Sequence, residues 1–152
     1  MLKQRKVLKQ YLEKDLTSST PEKLILKLFD GAIGFAKSAL FCLGKNDVVN
    51  KAKLLNKTVN IVDYLRSCLD FEKGGDIAEN LDRVYDYILM QLTDGNLKND
   101  TNKIKEAVEL LSTIKDGWAE LCEEDANVQV GGVDNRNQVE GAHRCEGFTA
   151  VA

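Results

Sequence analysis

The stretch Thr17-Ser18-Ser19-Thr20-Pro21-Glu22-Lys23-Leu24-Ile25-Leu26-Lys27-Leu28-Phe29-Asp30-Gly31-Ala32 decides the fold. It begins with a run of hydroxyl residues that breaks the chain and then gives a helix start. Thr20 is placed to accept a backbone N–H as N-cap. Pro21 is pre-set for the first helical position, and Glu22 sits at the positive end of the helix dipole. From there to Leu43 apolar residues recur at helical spacing: Leu24, Ile25, Leu28, Ala32, Phe35, Ala36, Ala39 and Leu43. A second stripe of Leu26, Phe29, Ile33 and Leu40 widens the apolar arc. Gly31 and Gly34 each weaken this helix by up to about 1 kcal/mol relative to Ala. Close helix approach and simple tolerance account for them equally well. Gly44-Lys45-Asn46-Asp47 ends the helix and starts the next.

The same pattern repeats toward the C-terminus. A helix is predicted from about Val48 to Phe71, with a core stripe of Val48, Ala52, Leu55, Val59, Val62 and Leu69. Beside it runs Leu54, Ile61, Leu65 and Cys68. Gly74-Gly75 is the expected stop, because glycine reaches positive φ without a Cβ clash. Asp76-Ile77-Ala78-Glu79 has capping-box spacing and opens a helix with the stripe Ile77, Leu81, Val84, Tyr85, Ile88 and Leu92. Tyr87 and Met90 fall on its more polar side, and Gly95-Asn96 is the expected end. Asn99-Asp100-Thr101 offers caps for a last helix carrying Ile104, Ala107, Val108, Leu111, Ile114, Trp118, Leu121 and Cys122. After Glu124 no period of either kind is sustained, so residues 125–152 are expected to be a flexible C-terminal tail.

Upstream, Leu8, Tyr11, Leu12 and Leu16 make a short amphipathic stripe within residues 1–19, and its other face holds Lys3, Arg5, Lys6, Lys9 and Lys14. Such a basic helix has the character of a membrane-surface element. Its small apolar side, and dilution by Glu13 and Asp15, fit better with docking on the body of the protein. Residues 20–124 then hold four helices of about 20–25 residues, each about 30–37 Å long. Matched lengths and short connections predict an all-α fold: an antiparallel up-down-up-down four-helix bundle with a short extra N-terminal helix.

Composition agrees. A single proline in 152 residues suits long helices. With 21 Lys and Arg against 24 Asp and Glu, the net charge of −3 does not fit a nucleic-acid module driven by overall positive charge. The longest purely apolar run, Ala39 to Leu43, is far short of the roughly 20 residues of a spanning helix. No 7–15-residue apolar stretch follows the basic N-terminus, so no signal peptide is read there, and a cytoplasmic location is expected.

Catalytic and metal patterns are missing from the sequence. Cys42, Cys68, Cys122 and Cys145 are scattered, and none forms C-x-x-C. Three of them fall in helical apolar patterns, where a free Cys behaves as a small hydrophobe. The one histidine, His143, lies in the tail, where His143-x-Cys145 has no second ligand pair. No Glu-x-x-His, of the kind helical bundles use around two metals, and no phosphate-binding G-x-x-x-x-G-K-[ST] occurs. The reading is a non-enzyme without a cofactor. What remains is surface: two of the helices carry more apolar arc than one seam uses. The cover is the chain's own terminal segments, a second copy, or a partner helix laid in a groove.

Several blocks together resemble the flagellin export chaperone family, FliS. They are Tyr11, then Leu16 to Ala32 with its Thr-Pro-Glu and Leu-Phe-Asp-Gly-Ala, and then Leu69-Asp70-Phe71-Glu72-Lys73-Gly74-Gly75-Asp76-Ile77-Ala78-Glu79-Asn80-Leu81. Tyr85-Asp86-Tyr87, Asn96-Leu97-Lys98-Asn99-Asp100 and Trp118 follow in order. The similarity covers about residues 8–122. Phe29 stands where the family usually has Tyr, and Ser19 and Thr20 replace Ala and Ser.

The resemblance implies a cytosolic chaperone that binds the disordered C-terminal segment of flagellin, prevents its premature polymerisation and delivers it to the flagellar export gate. An anti-sigma factor is a further partner to be considered. The free protein is expected as a monomer or weak homodimer, with neither nucleic acid nor membrane insertion. On this reading Tyr11, Leu12 and Leu16 lie over an apolar groove in the free chaperone. The groove draws on Leu26, Phe29, Ile33, Ile61, Leu65 and Cys68, with Tyr87 and Met90 at a second contact. Plain core packing is the competing role for each of them. Two other functions stay open: a helical adaptor for a different secretion substrate or regulator, and a structural homo-oligomer.

Overall fold

The computed structural model describes residues 20–131, with side chains as far as Glu124. Four helices follow one another: α1 Pro21–Gly44, α2 Val48–Ser67, α3 Phe71–Lys98 and α4 Thr101–Gly131. Helices pack as α1 on α2, α2 on α3, α3 on α4 and α4 back on α1, which closes a ring around one core. Short connections and cross-helix bonds fix the antiparallel sense. Trp118 Nε1, late in α4, donates to the Glu22 carbonyl at the start of α1 at 3.2 Å. Lys51 Nζ, early in α2, donates to the Asn96 carbonyl late in α3 at 2.8 Å. The all-α up-down-up-down bundle is therefore the architecture of the described residues.

Every helix start is capped by a side chain next to it. Thr20 Oγ1 accepts the Lys23 amide at 3.3 Å, and Asp47 accepts the Asn50 amide at 3.2 Å. Asp70 accepts the amides of Glu72 and Lys73 at 3.0 and 3.1 Å. Asp100 accepts those of Asn102 and Lys103 at 3.0 and 3.4 Å. Each cap satisfies donors that a helix start leaves open and contributes about 1 kcal/mol.

Asp70 also corrects the expected boundaries. The helix expected to run to Phe71 stops at Ser67, because Asp70 is the cap of the next one. Gly74-Gly75 does not separate two helices. Gly75, at φ 51° and ψ −128°, kinks α3 one turn after its start, a conformation open to glycine. Gly95-Asn96 does not end α3 either. The helix runs on to Lys98 and is stopped by Asn99 in the left-handed conformation at φ 53°. Gly95 is needed for another reason: a Cβ there would meet Ile104 Cγ1 at 2.8 Å. At Gly34 a Cβ would meet nothing within 4 Å, so no close approach explains it. The α4 backbone continues past Glu124 to Gly131, through the first part of the segment expected as tail. The remaining expectations for residues 1–19 and 132–152 lie outside the described residues.

The core joins both α1 stripes, with Ile25, Leu28, Phe29, Ala32, Ile33, Ala36 and Ala39 in one cluster. Leu55, Ile61, Val62 and Leu65 come from α2, Tyr85, Ile88 and Leu92 from α3, and Ile104, Leu111 and Trp118 from α4. Small residues on α1 let α2 come close, and Thr58 Oγ1 reaches the Ala32 carbonyl at 3.4 Å as well as Leu54 O at 3.1 Å. Two expected core positions are not core. Val48 and Ile77 are 44% and 49% exposed, each within the first two turns of its helix.

Candidate functional site

The surface question begins with the apolar residues that the core does not take. Phe41, Val48, Val49, Phe71, Ile77, Tyr87, Met90 and Leu97 remain exposed. Sequence patterning explains three of them. Phe41 belongs to neither α1 stripe, Val49 is off both α2 stripes, and Met90 lies among polar positions of α3. The signal that would have singled out Phe41 and Val49 is a large apolar residue on the solvated arc of an otherwise amphipathic helix. Leu97 follows the glycine that was expected to end its helix, which concealed its place in the last turn of α3.

The structure places the expected groove residues in three settings. Phe29, Ile33, Ile61 and Leu65 sit inside the core cluster, Phe29 with no exposed surface. Cys68 is buried at the end of α2, while Leu26 is half-buried and packed on the cluster. Tyr87 and Met90, one turn apart on α3, are exposed at 42% and 61%. Tyr11, Leu12 and Leu16 lie outside the described residues. The structure thus brings the α1 and α2 members together in one apolar layer. It sets the α3 pair apart on the outer surface.

Polar side chains hold this surface in place. Tyr87 OH donates to Glu106 Oε1 at 2.6 Å, and Gln91 Nε2 donates to Glu106 Oε2 at 2.7 Å, so α3 and α4 are tied beside Met90. The bond to Glu106 holds the Tyr87 phenol above its usual range, because the protonated hydroxyl is the donor. Lys103 and Lys98 both pair with Asp94 and hold its carboxyl below the ordinary range. Between α2 and α3, Arg66 Nε meets Asp82 Oδ1 at 2.6 Å and Nη1 meets Asp86 Oδ1 at 3.2 Å. These are partly exposed pairs, each contributing about 0–1 kcal/mol, and they set register more than stability.

Among the described residues no group of three His, Cys, Asp or Glu is placed to hold a metal. No helix among them is long and apolar enough to cross a membrane. Among the described residues the buried hydroxyl of Tyr85 finds no hydrogen-bond partner, and burial pushes its phenol up. Tyr85 belongs to the core cluster and has no exposed surface, and a buried hydroxyl without a partner costs stability.

Comparison with known proteins bears on this surface. Residues 4–125 match the family described as flagellar protein FliS. The chain is 42% identical over 111 residues to the flagellar secretion chaperone FliS of Salmonella typhimurium, an alignment covering 72% of this chain and 82% of that one. It is 34% identical to the flagellar secretion chaperone FliSB of Pseudomonas aeruginosa, covering 74% and 93% of the two chains. It is 33% identical to FliS of Vibrio cholerae, covering 77% and 86%.

Proposed function

The chain belongs to the flagellar protein FliS family, and on that footing we propose that it is a cytoplasmic chaperone of flagellar secretion. It binds the C-terminal segment of flagellin, keeps that segment from polymerising and hands it to the export gate. One observation carries the reading beyond family membership. The bundle closes its own core and still leaves apolar side chains such as Met90 open beside a fixed polar network. A disordered segment that becomes amphipathic on ordering gains burial there, at about 25 cal/mol per Å² before its ordering cost.

In this proposal Tyr11, Leu12 and Leu16 cover the groove in the free chaperone and give way to the client. Leu26, Tyr87 and Met90 supply client contact. Phe29, Ile33, Ile61, Leu65 and Cys68 form the layer beneath and shape it. The order fits their burial, since a fully buried ring contributes shape to a surface but no area. An anti-sigma factor sharing this surface would compete with flagellin for it.

Calorimetric titration with a C-terminal flagellin segment of about 50 residues from the same organism tests the reading. Saturable 1:1 binding with a negative heat-capacity change is expected. No heat and no shift in gel filtration would leave the bundle intact and remove flagellin as its client. An adaptor role for another secretion substrate would then lead. A concentration-independent oligomer without client binding would point to a structural role.

A further inference from the structure

The two hairpins of the bundle carry opposite charge. From Pro21 to Ser67, across α1 and α2, eight Lys and Arg stand against four Asp and Glu. From Asp70 to Glu124, across α3 and α4, six stand against fourteen. The excess of basic charge on the first hairpin is not used up by ion pairs. Lys45, Lys53 and Lys57 form none among the described residues. The nearby Asp47 carboxylate is bonded by the amide and side chain of Asn50, at 3.2 and 2.6 Å, and feels the Lys53 charge without forming an ion pair with it.

Two of these lysines lie on aromatic rings, an exposed one and a half-buried one. Lys45 Nζ lies 4.5 Å from the centroid of the Phe41 ring, and Lys57 Nζ lies 5.3 Å from that of Phe35. Phe41 and Val49 are 65% and 62% exposed. Val49, Lys53 and Lys57 recur every fourth residue and so line one strip of α2. Phe41 and Lys45 have the same spacing at the end of α1, across the turn formed by residues 45–47.

We propose that this outer α1–α2 face is a second docking surface, taking an acidic amphipathic protein segment. Its carboxylates pair with Lys45, Lys53 and Lys57, and its apolar side chains lie on Phe41 and Val49. An ammonium held against a ring is positioned yet keeps donors for a carboxylate. The acidic α3–α4 hairpin repels the same segment, so charge directs it to one side of the bundle. A polyanion without apolar groups, such as nucleic acid, would leave Phe41 and Val49 unused, which favours a protein segment, and an anionic lipid surface is an outcome the test separates. The surface is separate from Leu26, Tyr87 and Met90, so it stands or falls independently of flagellin binding.

Fluorescence anisotropy on the full chain tests it. The probe is a labelled helical peptide of about 20 residues with Glu on one face and Leu on the other. Its twin carries Lys for Glu, and phosphatidylserine vesicles and duplex DNA are run beside it. The acidic peptide is expected to bind saturably and to weaken with salt. The K45E/K53E/K57E variant should bind about ten-fold more weakly, as three exposed pairs imply, with an unchanged helical circular-dichroism signal. Lys53→Glu alone, at an exposed position, should move affinity the same way. Replacing Phe41 and Val49 by Ser should also weaken binding, which separates a built surface from diffuse charge. Equal binding of the Lys twin, wild-type affinity in the charge-reversed variants, or binding to vesicles or DNA alone would overturn the proposal.

Discussion

Lys51 Nζ donates to Asn99 Oδ1 at 2.5 Å and to the Asn96 carbonyl, although Lys51 lies among the buried residues of the bundle at 3% exposure. A buried lysine usually meets a carboxylate. This one instead meets the C-terminal end of α3, where unpaired carbonyls and the negative end of the dipole collect. It therefore locks the start of α2 to the end of α3. Lys51→Met keeps the stem but leaves the Asn96 carbonyl and Asn99 short of a donor. Urea denaturation should show a loss of about 1–3 kcal/mol. A loss below about 0.5 kcal/mol would show that the bond is not holding the two ends together.

Gly95 and Gly34 should respond in opposite directions to the same change. Gly95→Ala drives a Cβ to within 2.8 Å of Ile104 Cγ1 and 3.3 Å of the Asp100 carbonyl. It should destabilise by about 1–3 kcal/mol despite the better helix former. Gly34→Ala meets open space on an exposed part of α1 and should stabilise by about 0.5–1 kcal/mol. Thermal melts of the two variants side by side check the contrast.

Tyr85→Phe removes a hydroxyl that is buried without a partner among the described residues and keeps the ring. The expected result is a gain of about 1 kcal/mol, read as a higher denaturation midpoint with the slope unchanged. A loss of stability would reveal that the hydroxyl is satisfied in solution.

Phe29 and Met90 separate fold from surface. Phe29→Ala empties a fully buried site and should cost about 3–5 kcal/mol. Met90→Ala, at an exposed position, should leave stability within about 0.5 kcal/mol. On the proposed function Met90→Ala weakens flagellin binding while the melt is unchanged.

Acid should weaken the α3–α4 seam through Asp94. Its folded pKa lies below the ordinary 3.8, chiefly because of the hydrogen bond from Lys103 and then that from Lys98. The stabilisation is therefore complete above that ordinary value and is lost as pH falls through the lower folded value. Melting temperature measured from pH 6 down to the acid limit should fall less steeply in Asp94→Asn than in the parent chain.

Much of this was legible from patterning, and the exceptions have causes that patterning does not register. The Thr20-Pro21-Glu22 start and the α1 stripes read correctly because cap, proline and period all point the same way. The α2–α3 junction was misread because Gly74-Gly75 looks like a stop, whereas the earlier Asp70 had already capped the helix and Gly75 only bends it. Gly95 was misread for a similar reason: its small size answers Ile104 of the next helix, a tertiary contact with no local trace. For the surface, two stripes on α1 suggested a core side and a groove side. The ring of four helices is wide enough that Phe29 and Ile33 join the same core as Leu28. Tyr87 and Met90 were correctly set on the polar side of α3 because their neighbours in the turn are charged.

The ring of packing has a kinetic consequence. Consecutive helices supply α1–α2, α2–α3 and α3–α4, so most of the core forms between chain neighbours. Among the described helices the α4–α1 seam, with Trp118 bonded to Glu22, brings the most distant parts of the sequence together. Such low contact order places folding in the microsecond to millisecond range. Each hairpin can form as soon as its second helix leaves the ribosome, and the molecule becomes whole when Trp118 arrives at the start of α1.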